Sequence, residues 1–145
     1  MEELVDNADV VILAVKPQDF DNVLKGIEHH TNDKLVISIA AGVKTTYIEK
    51  ILGEVRVVRG MPNICAKIGH SVTCLCKGRL ATDADLFLTK DLFKNIGEVQ
   101  DLREKDMDAA TAISGSGPGY YFDSIESKAQ EYKADPEKFQ NDFIL

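Results

Sequence analysis

This sequence has no apolar run approaching the roughly 20 residues that a membrane-spanning helix needs, which argues against a membrane partner. It has no basic excess either: 17 Lys and Arg against 24 Asp and Glu leave a net charge of −7, whereas nucleic-acid binding needs a clustered positive surface. Its first residues are acidic (Glu2, Glu3, Asp6), not the basic start of a secretory signal. The three cysteines are an odd number without zinc-type spacing, and His29, His30 and His70 have no partner at ligand spacing. No metal is expected. No Ser-His-Asp or Cys-His arrangement is visible, and no repeat or low-complexity segment interrupts the chain. The compartment these absences leave is the cytoplasm.

The 145 residues suffice for one ordinary domain, and 44% hydrophobic with 28% charged is a globular balance. Residues 10–15 are a continuous apolar run, read as a parallel strand covered on both faces. Pro17 opens a helix, with Phe20, Val23, Leu24 and Ile27 at i, i+3, i+4, i+7 spacing forming one apolar stripe. A second strand covers residues 35–39. Thr46 and Glu49 match a capping box for a short helix with Tyr47, Ile48, Ile51 and Leu52 inward, and residues 55–59 form a third strand. Strand, helix (82–94, with Leu86, Leu88, Leu92 and Phe93 as its apolar set) and strand follow, and periodicity does not decide whether the last two strands run antiparallel. From Glu104 the strand signals stop. Helical spacing runs to Ile113, is interrupted at residues 114–118, and resumes through Tyr121, Phe122, Ile125, Ala129 and Tyr132. Asp135 and Pro136 then look like the start of a final helix carrying Phe139, Phe143 and Ile144. The fold class expected is α/β: part of a doubly wound sheet over residues 1–103, then helices over 104–145.

Open parallel sheets bind ligands beyond the carboxyl ends of their strands. Three successive ends here carry small or polar loops: Ala14-Val15-Lys16-Pro17, Ala40-Ala41-Gly42 and Met61-Pro62-Asn63. Small residues allow a ribose or phosphate to approach. Lys16 can offer a point charge to phosphate, or be a solvated residue at a helix start. Asn63 can hydrogen-bond an amide or a ribose hydroxyl. Ser114-Gly115-Ser116-Gly117-Pro118 lacks the Gly-Lys-Ser/Thr ending of a nucleotide P-loop. It can present backbone N–H groups and two hydroxyls to a carboxylate, or simply allow a tight helix crossing. Cys74 and Cys76 alternate on one strand face and read as small core residues in preference to a redox pair, and Cys65 as a packed neighbour of the Met-Pro-Asn turn. Glu104, Asp106 and Asp108 read as a solvated helix face.

Taken in order, Ala-Val-Lys-Pro, Ser-Ile-Ala-Ala-Gly, Met-Pro-Asn and Ser-Gly-Ser-Gly-Pro, with the Asp108-Ala109-Ala110-Thr111-Ala112 lead-in, resemble the pyrroline-5-carboxylate reductases. The likeness extends from about Glu2 to Tyr132. It implies a Rossmann-like domain followed by a helical dimerisation domain, NADP or NAD as cofactor, 1-pyrroline-5-carboxylate as substrate, proline as product, and a homo-oligomer. It places Ala14, Val15, Lys16 and Pro17 along the dinucleotide, Ala40, Ala41 and Gly42 near its nicotinamide end, and Asn63 close to the reacting ring. Ser114, Gly115, Ser116 and Gly117 would then form the floor on the substrate side. The family's opening Gly-x-Gly-x-x-Gly segment and its later carboxylate-holding loop are not among these residues, and its usual Pro-Ala-Tyr reads Pro118-Gly119-Tyr120. The expectation is a fragment, weakly active or inactive alone. The alternative is a non-catalytic module that pairs an open sheet edge at residues 10–15 with another chain.

Overall fold

The computed structural model describes residues 2–134. A short helix α1 (Glu2–Asp6) leads into β1 (Val10–Leu13), α2 (Pro17–Ile27), β2 (Leu35–Ser38), α3 (Thr45–Leu52) and β3 (Arg56–Met61). A 3₁₀ turn (Ile64–Ile68) precedes β4 (Ser71–Lys77), α4 (Asp83–Lys94) and β5 (Gly97–Asp101). The five strands form one sheet in sequential order. β1, β2 and β3 are parallel, β4 turns antiparallel to β3, and β5 is parallel to β4. The α/β class is borne out, and the direction of the last two strands, which periodicity left open, is opposite to that of the first three.

Helices lie on both sheet faces. On one, Val11, Leu13, Val36 and Val57 meet Phe20, Leu24 and Ile27 of α2 and Ile48 and Leu52 of α3. On the other, Ile37, Val58 and Leu75 pack with Phe93 of α4. The apolar stripe of α2 is buried as its spacing requires, because one face of that helix sees the sheet and the other sees solvent.

Three local readings are corrected. β1 is not covered on both faces: Ile12 is half exposed, because β1 is the edge strand of the sheet and α4 sits over β3 to β5. In α4, Leu86 and Phe93 pack inward as expected, but Leu88 and Leu92 are exposed and the buried positions beside Phe93 are Asp85 and Thr89. Arg56 binds Asp85 at 2.5 Å and Thr89 Oγ1 donates to the Asp85 carbonyl, so a satisfied polar pair takes the place that periodicity assigned to leucine. The Thr46/Glu49 capping box does not form. α3 starts at Thr45, Tyr47 is exposed, and Glu49 accepts from the Arg79 N–H instead.

After β5 a 3₁₀ turn (Glu104–Asp106) runs into α5 (Met107–Ala110), a π turn (Thr111–Gly115) and α6 (Gly117–Ala134). The interruption expected at residues 114–118 is therefore a widened helical turn, closed by the Ser116 N–H donating to the Thr111 carbonyl. Met107 is fully buried against Cys74 and Cys76. α6 leaves Tyr120, Tyr121, Phe122 and Ile125 exposed. The final helix read from Asp135 lies outside the described residues.

Candidate functional site

Because β1, β2 and β3 are adjacent and parallel, their carboxyl ends share one edge of the sheet. Ala14, Val15, Lys16 and Pro17 follow β1, and Lys16 is the N-cap of α2. Its side chain pairs with no acid among the described residues, although it stands at the positive end of a helix dipole. Next to it the Ile39 N–H donates to the Leu13 carbonyl at 3.1 Å, holding the second strand end to the first. Ala40 is buried, while Ala41 and Gly42 are exposed, and Gly42 has φ +75°, a left-handed turn with open space where a side chain would project.

Asn63 closes the third strand end. Its Oδ1 accepts from the Cys65 N–H and caps the 3₁₀ turn, and its Nδ2 donates to the Ser114 carbonyl, both at 3.1 Å. The Asn63 N–H donates to Ser71 Oγ. An amide has two donors and two acceptor lone pairs, so Asn63 keeps one of each after these contacts. The same contact fixes where the second block lies. Ser114 Oγ donates to the Val72 carbonyl at 3.3 Å, and the backbone of Gly115 lies against Met61, where a Cβ would come within 3.1 Å of the Met61 methyl. Gly119 and Tyr120 direct their N–H groups to the Ser116 carbonyl, so those amides are not free for a carboxylate. The Ser116 hydroxyl makes no hydrogen bond among the described residues.

The structure thus joins Asn63 to Ser114 directly. It sets residues 40–42 one strand away and residues 14–17 two strands away along one edge. An open hollow of about 610 Å³ flanks α3 between Gly42, Lys44, Tyr47 and Lys50, and takes in only Gly42 of the residues named above.

Sequence reading missed a charged network beneath this edge. Arg59, 1% exposed in β3, donates from Nη1 to Glu104 Oε1 at 2.8 Å and from Nη2 to Asp108 Oδ1 at 3.3 Å. The Glu104 Oε2 accepts from the Thr45 N–H at 3.3 Å and the Thr45 hydroxyl at 2.5 Å. Glu104 and Asp108 are therefore not a purely solvated face. Burial pushes the Glu104 carboxyl upward, but hydrogen bonds from Thr45 and Arg59 outweigh it and hold the group below its ordinary value. Beside them, burial and then Glu104 push the Cys76 thiol up to about 12, and burial raises Cys74. These are unreactive core thiols. An arginine directly after an apolar pair in Val57-Val58-Arg59 was the available signal, since such a side chain needs a partner wherever the strand is buried.

A half-wound parallel sheet with small, polar strand-end loops and a helical segment closing one side defines the class: a Rossmann-like dinucleotide-binding α/β fold. Within that class the chain is similar to the pyrroline-5-carboxylate reductases, as its four motifs implied. It is 43% identical to pyrroline-5-carboxylate reductase of Methanosarcina acetivorans over 128 residues, covering 87% of this chain and 47% of that protein. Solved structures agree. Pyrroline carboxylate reductase of Plasmodium falciparum with NADP bound matches at 36% identity and a TM-score of 0.83, covering 87% of this chain and 48% of that one. The Coxiella burnetii pyrroline-5-carboxylate reductase matches at 32% and 0.84, covering 93% and 52%. Residues 1–42 also match the family described as NADP oxidoreductase, coenzyme F420-dependent. The chain spans about half the length of the curated relatives it matches.

Proposed function

We propose that this chain carries the strand-end crevice of an NAD(P)H-dependent pyrroline-5-carboxylate reductase, which reduces 1-pyrroline-5-carboxylate to proline. The observation that carries the reading is the hydrogen bond from Asn63 to the Ser114 carbonyl, which joins the carboxyl-end edge of the sheet to the helical segment. In this reading residues 1–103 form the cofactor side and residues 104–145 the helical, substrate side. A reduced nicotinamide supplies the hydride for the C=N carbon of the substrate. The chain's own residues do the placing. Ala14, Ala40, Ala41 and Gly42 leave room for a dinucleotide, the unpaired Lys16 offers charge to its phosphate, and Val15 and Pro17 line its path. Asn63 turns its remaining donor and acceptor toward the reacting ring. Ser114, Gly115, Ser116 and Gly117 border the substrate, with the Ser116 hydroxyl available to its carboxylate. The residues fit the cofactor on sterics and charge, and the Plasmodium relative holds NADP in a similar fold.

The exposed aromatic residues of α6 suit a contact with a second copy of the chain, giving a homo-oligomer, and no charge pattern favours nucleic acid. Among the described residues no helix is long and apolar enough to cross a membrane. The cytoplasm is the compartment we assign.

The test is an NMR titration of the purified chain with NADPH and NADH. No Gly-x-Gly-x-x-Gly cradle lies in these residues, so the affinity is expected to be weaker than about 1 mM. Shift changes should gather at residues 14–17, 40–42 and 63, and Lys16→Ala should weaken them. Changes scattered elsewhere, or none at saturating nucleotide, would refute the assignment.

A further inference from the structure

α3 begins without a local cap. Its N-cap residue is Lys44, in extended conformation, and that side chain makes no capping hydrogen bond. The first-turn N–H of Thr45, in a residue only 3% exposed, is met by Glu104, 59 residues further along the chain. Glu104 is itself held by Arg59, whose strand β3 pairs with β2 at Ser38.

The loop between Ser38 and Thr45 therefore has two anchors. One is β2, through the Ile39 N–H to the Leu13 carbonyl and the Ala40 N–H to Ser38 Oγ. The other is the Glu104 carboxylate. Between them Ala41 and Gly42 are exposed, and nothing packs where a Gly42 side chain would lie. Glu104 also opens the helical segment that reaches Ser114 through the buried Met107. That segment touches the crevice edge at Thr45 through Glu104 and at Asn63 through Ser114.

We infer that Glu104 is a positioning residue for the crevice: clamped by Arg59, it caps α3 from outside the helix and so holds residues 40–44 in fixed relation to the segment that carries Ser114. The role in ligand placement rests on the function proposed above, but the cap itself does not. The arrangement couples the loop after β2 to the helical segment. If the helical segment shifts, α3 loses its cap and the nicotinamide-side loop loses its second anchor. Lys44, which could have been a serine or aspartate in a self-capped helix, leaves the job to Glu104.

The test is amide hydrogen exchange on the full chain, without ligand, followed by the NADPH titration. In Glu104→Gln, exchange at Thr45–Tyr47 and in residues 41–44 should accelerate by roughly tenfold or more while residues 35–38 stay protected. Adding Lys44→Ser, which supplies a local cap, should recover the protection. Thr45→Val, which removes the hydroxyl bond to Glu104 but keeps the N–H one, should repeat part of the effect without touching Arg59, and Thr45→Ser should not, which keeps the test informative if Glu104→Gln folds poorly. With NADPH, Glu104→Gln should lose the shift changes at Ala41 and Gly42 and keep those at Lys16. Unchanged exchange in Glu104→Gln, or a loss that Lys44→Ser fails to recover, would overturn the inference, since a residue that only balances the Arg59 charge is not replaced by a local cap. If the exchange results hold but the wild-type chain takes no dinucleotide, the functional assignment falls and the capping role stands.

Discussion

Deleting Glu104 should cost this fold more than deleting Arg59, although the two share one ion pair. The asymmetry comes from which partner can reach water. The Arg59 side chain is 1% exposed, whereas those of Glu104 and Asp108 are 25% and 67% exposed. A guanidinium does not shed its proton at accessible pH, so Glu104→Ala leaves a buried positive charge. Asp108 remains at 3.3 Å as partial compensation, and among the described residues the Arg59 Nε already lacks a hydrogen-bond partner. Breaking a buried pair from one side costs about 3–5 kcal/mol, and the remaining aspartate sets the expectation near the lower end, about 3. Loss of the α3 cap adds about 1 kcal/mol. Arg59→Met instead removes the charge that cannot be hydrated and keeps most of the side-chain length. Glu104 then retains both bonds from Thr45 and turns its free oxygen to water, so the loss is about 1–2 kcal/mol. The variants should differ by about 2–3 kcal/mol, roughly thirtyfold to a hundredfold in the folding equilibrium. The double variant Arg59→Met/Glu104→Ala should be more stable than Glu104→Ala alone. Urea unfolding followed by circular dichroism at neutral pH, with unchanged m-values, measures all three. If Arg59→Met proves the more damaging single change, or the double variant is the least stable, the reasoning about buried charge here is wrong.

The carboxylates of Glu104 and Asp85 are both held below their ordinary values of 4.5 and 3.8. For Asp85, burial works upward but is outweighed by the Thr82 N–H and hydroxyl and by Arg56. A group with a lowered native pKa gives its full stabilisation above the unfolded value and loses it as pH falls through the native one. The urea midpoint should therefore hold from neutral pH to about pH 5 and drop below it, with a shallower drop in Glu104→Gln/Asp85→Asn; an equal slope in that variant would count against these two groups. Gly97→Ala should be severe, because with φ +144° an added Cβ would sit 2.0 Å from the Ser71 carbonyl oxygen and 2.4 Å from its nitrogen. Backbone cannot yield as a side-chain tip does, so the loss should be on the order of 3 kcal/mol or more, and a loss below about 1 would show that the strand start can move freely. Since Ser71 Oγ accepts from the Asn63 N–H, this variant should also shift the Asn63 resonances.

What was legible in the sequence, and what was not, divides along a physical line. α2 was readable because its burial is one-sided and made only of apolar contacts, which is what a 3.6-residue spacing reports. The inner face of α4 was not, because Asp85 and Thr89 satisfy each other and Arg56 inside the fold, and hydrophobic spacing is blind to a buried polar pair. The cap of α3 was misassigned for a related reason. Thr46 and Glu49 had the local pattern, but Glu49 gains a 2.6 Å bond from the Arg79 N–H while Glu104 reaches Thr45 from outside the helix. No local motif records a competitor that distant. β1 read as a fully covered strand since six apolar residues in a row look alike whether a sheet continues past them or stops, and Ile12 shows that among the described residues it stops.

The site shows the same division in sharper form. The three strand-end loops were legible because topology alone puts the carboxyl ends of adjacent parallel strands side by side. The Ser-Gly-Ser-Gly block was legible as an interruption before a helix, but not in the form that interruption takes. Its glycines do not end the helix. They allow a π turn, in which one extra residue per turn re-aims the backbone. That turn exposes the Ser114 carbonyl to Asn63 Nδ2 and lets the Gly115 backbone settle against Met61. A regular α-helix through the same residues would carry the Ser116 N–H back to Ala112 instead of Thr111 and rotate Ser114 away from the sheet. The widened turn is less stable locally than the α-helix it replaces, so its presence requires an offsetting contact. Asn63 supplies that contact from the only one of the three strand ends with a side-chain amide. The segment that sequence composition marks as the most yielding is thus the one that the third strand end holds through Asn63.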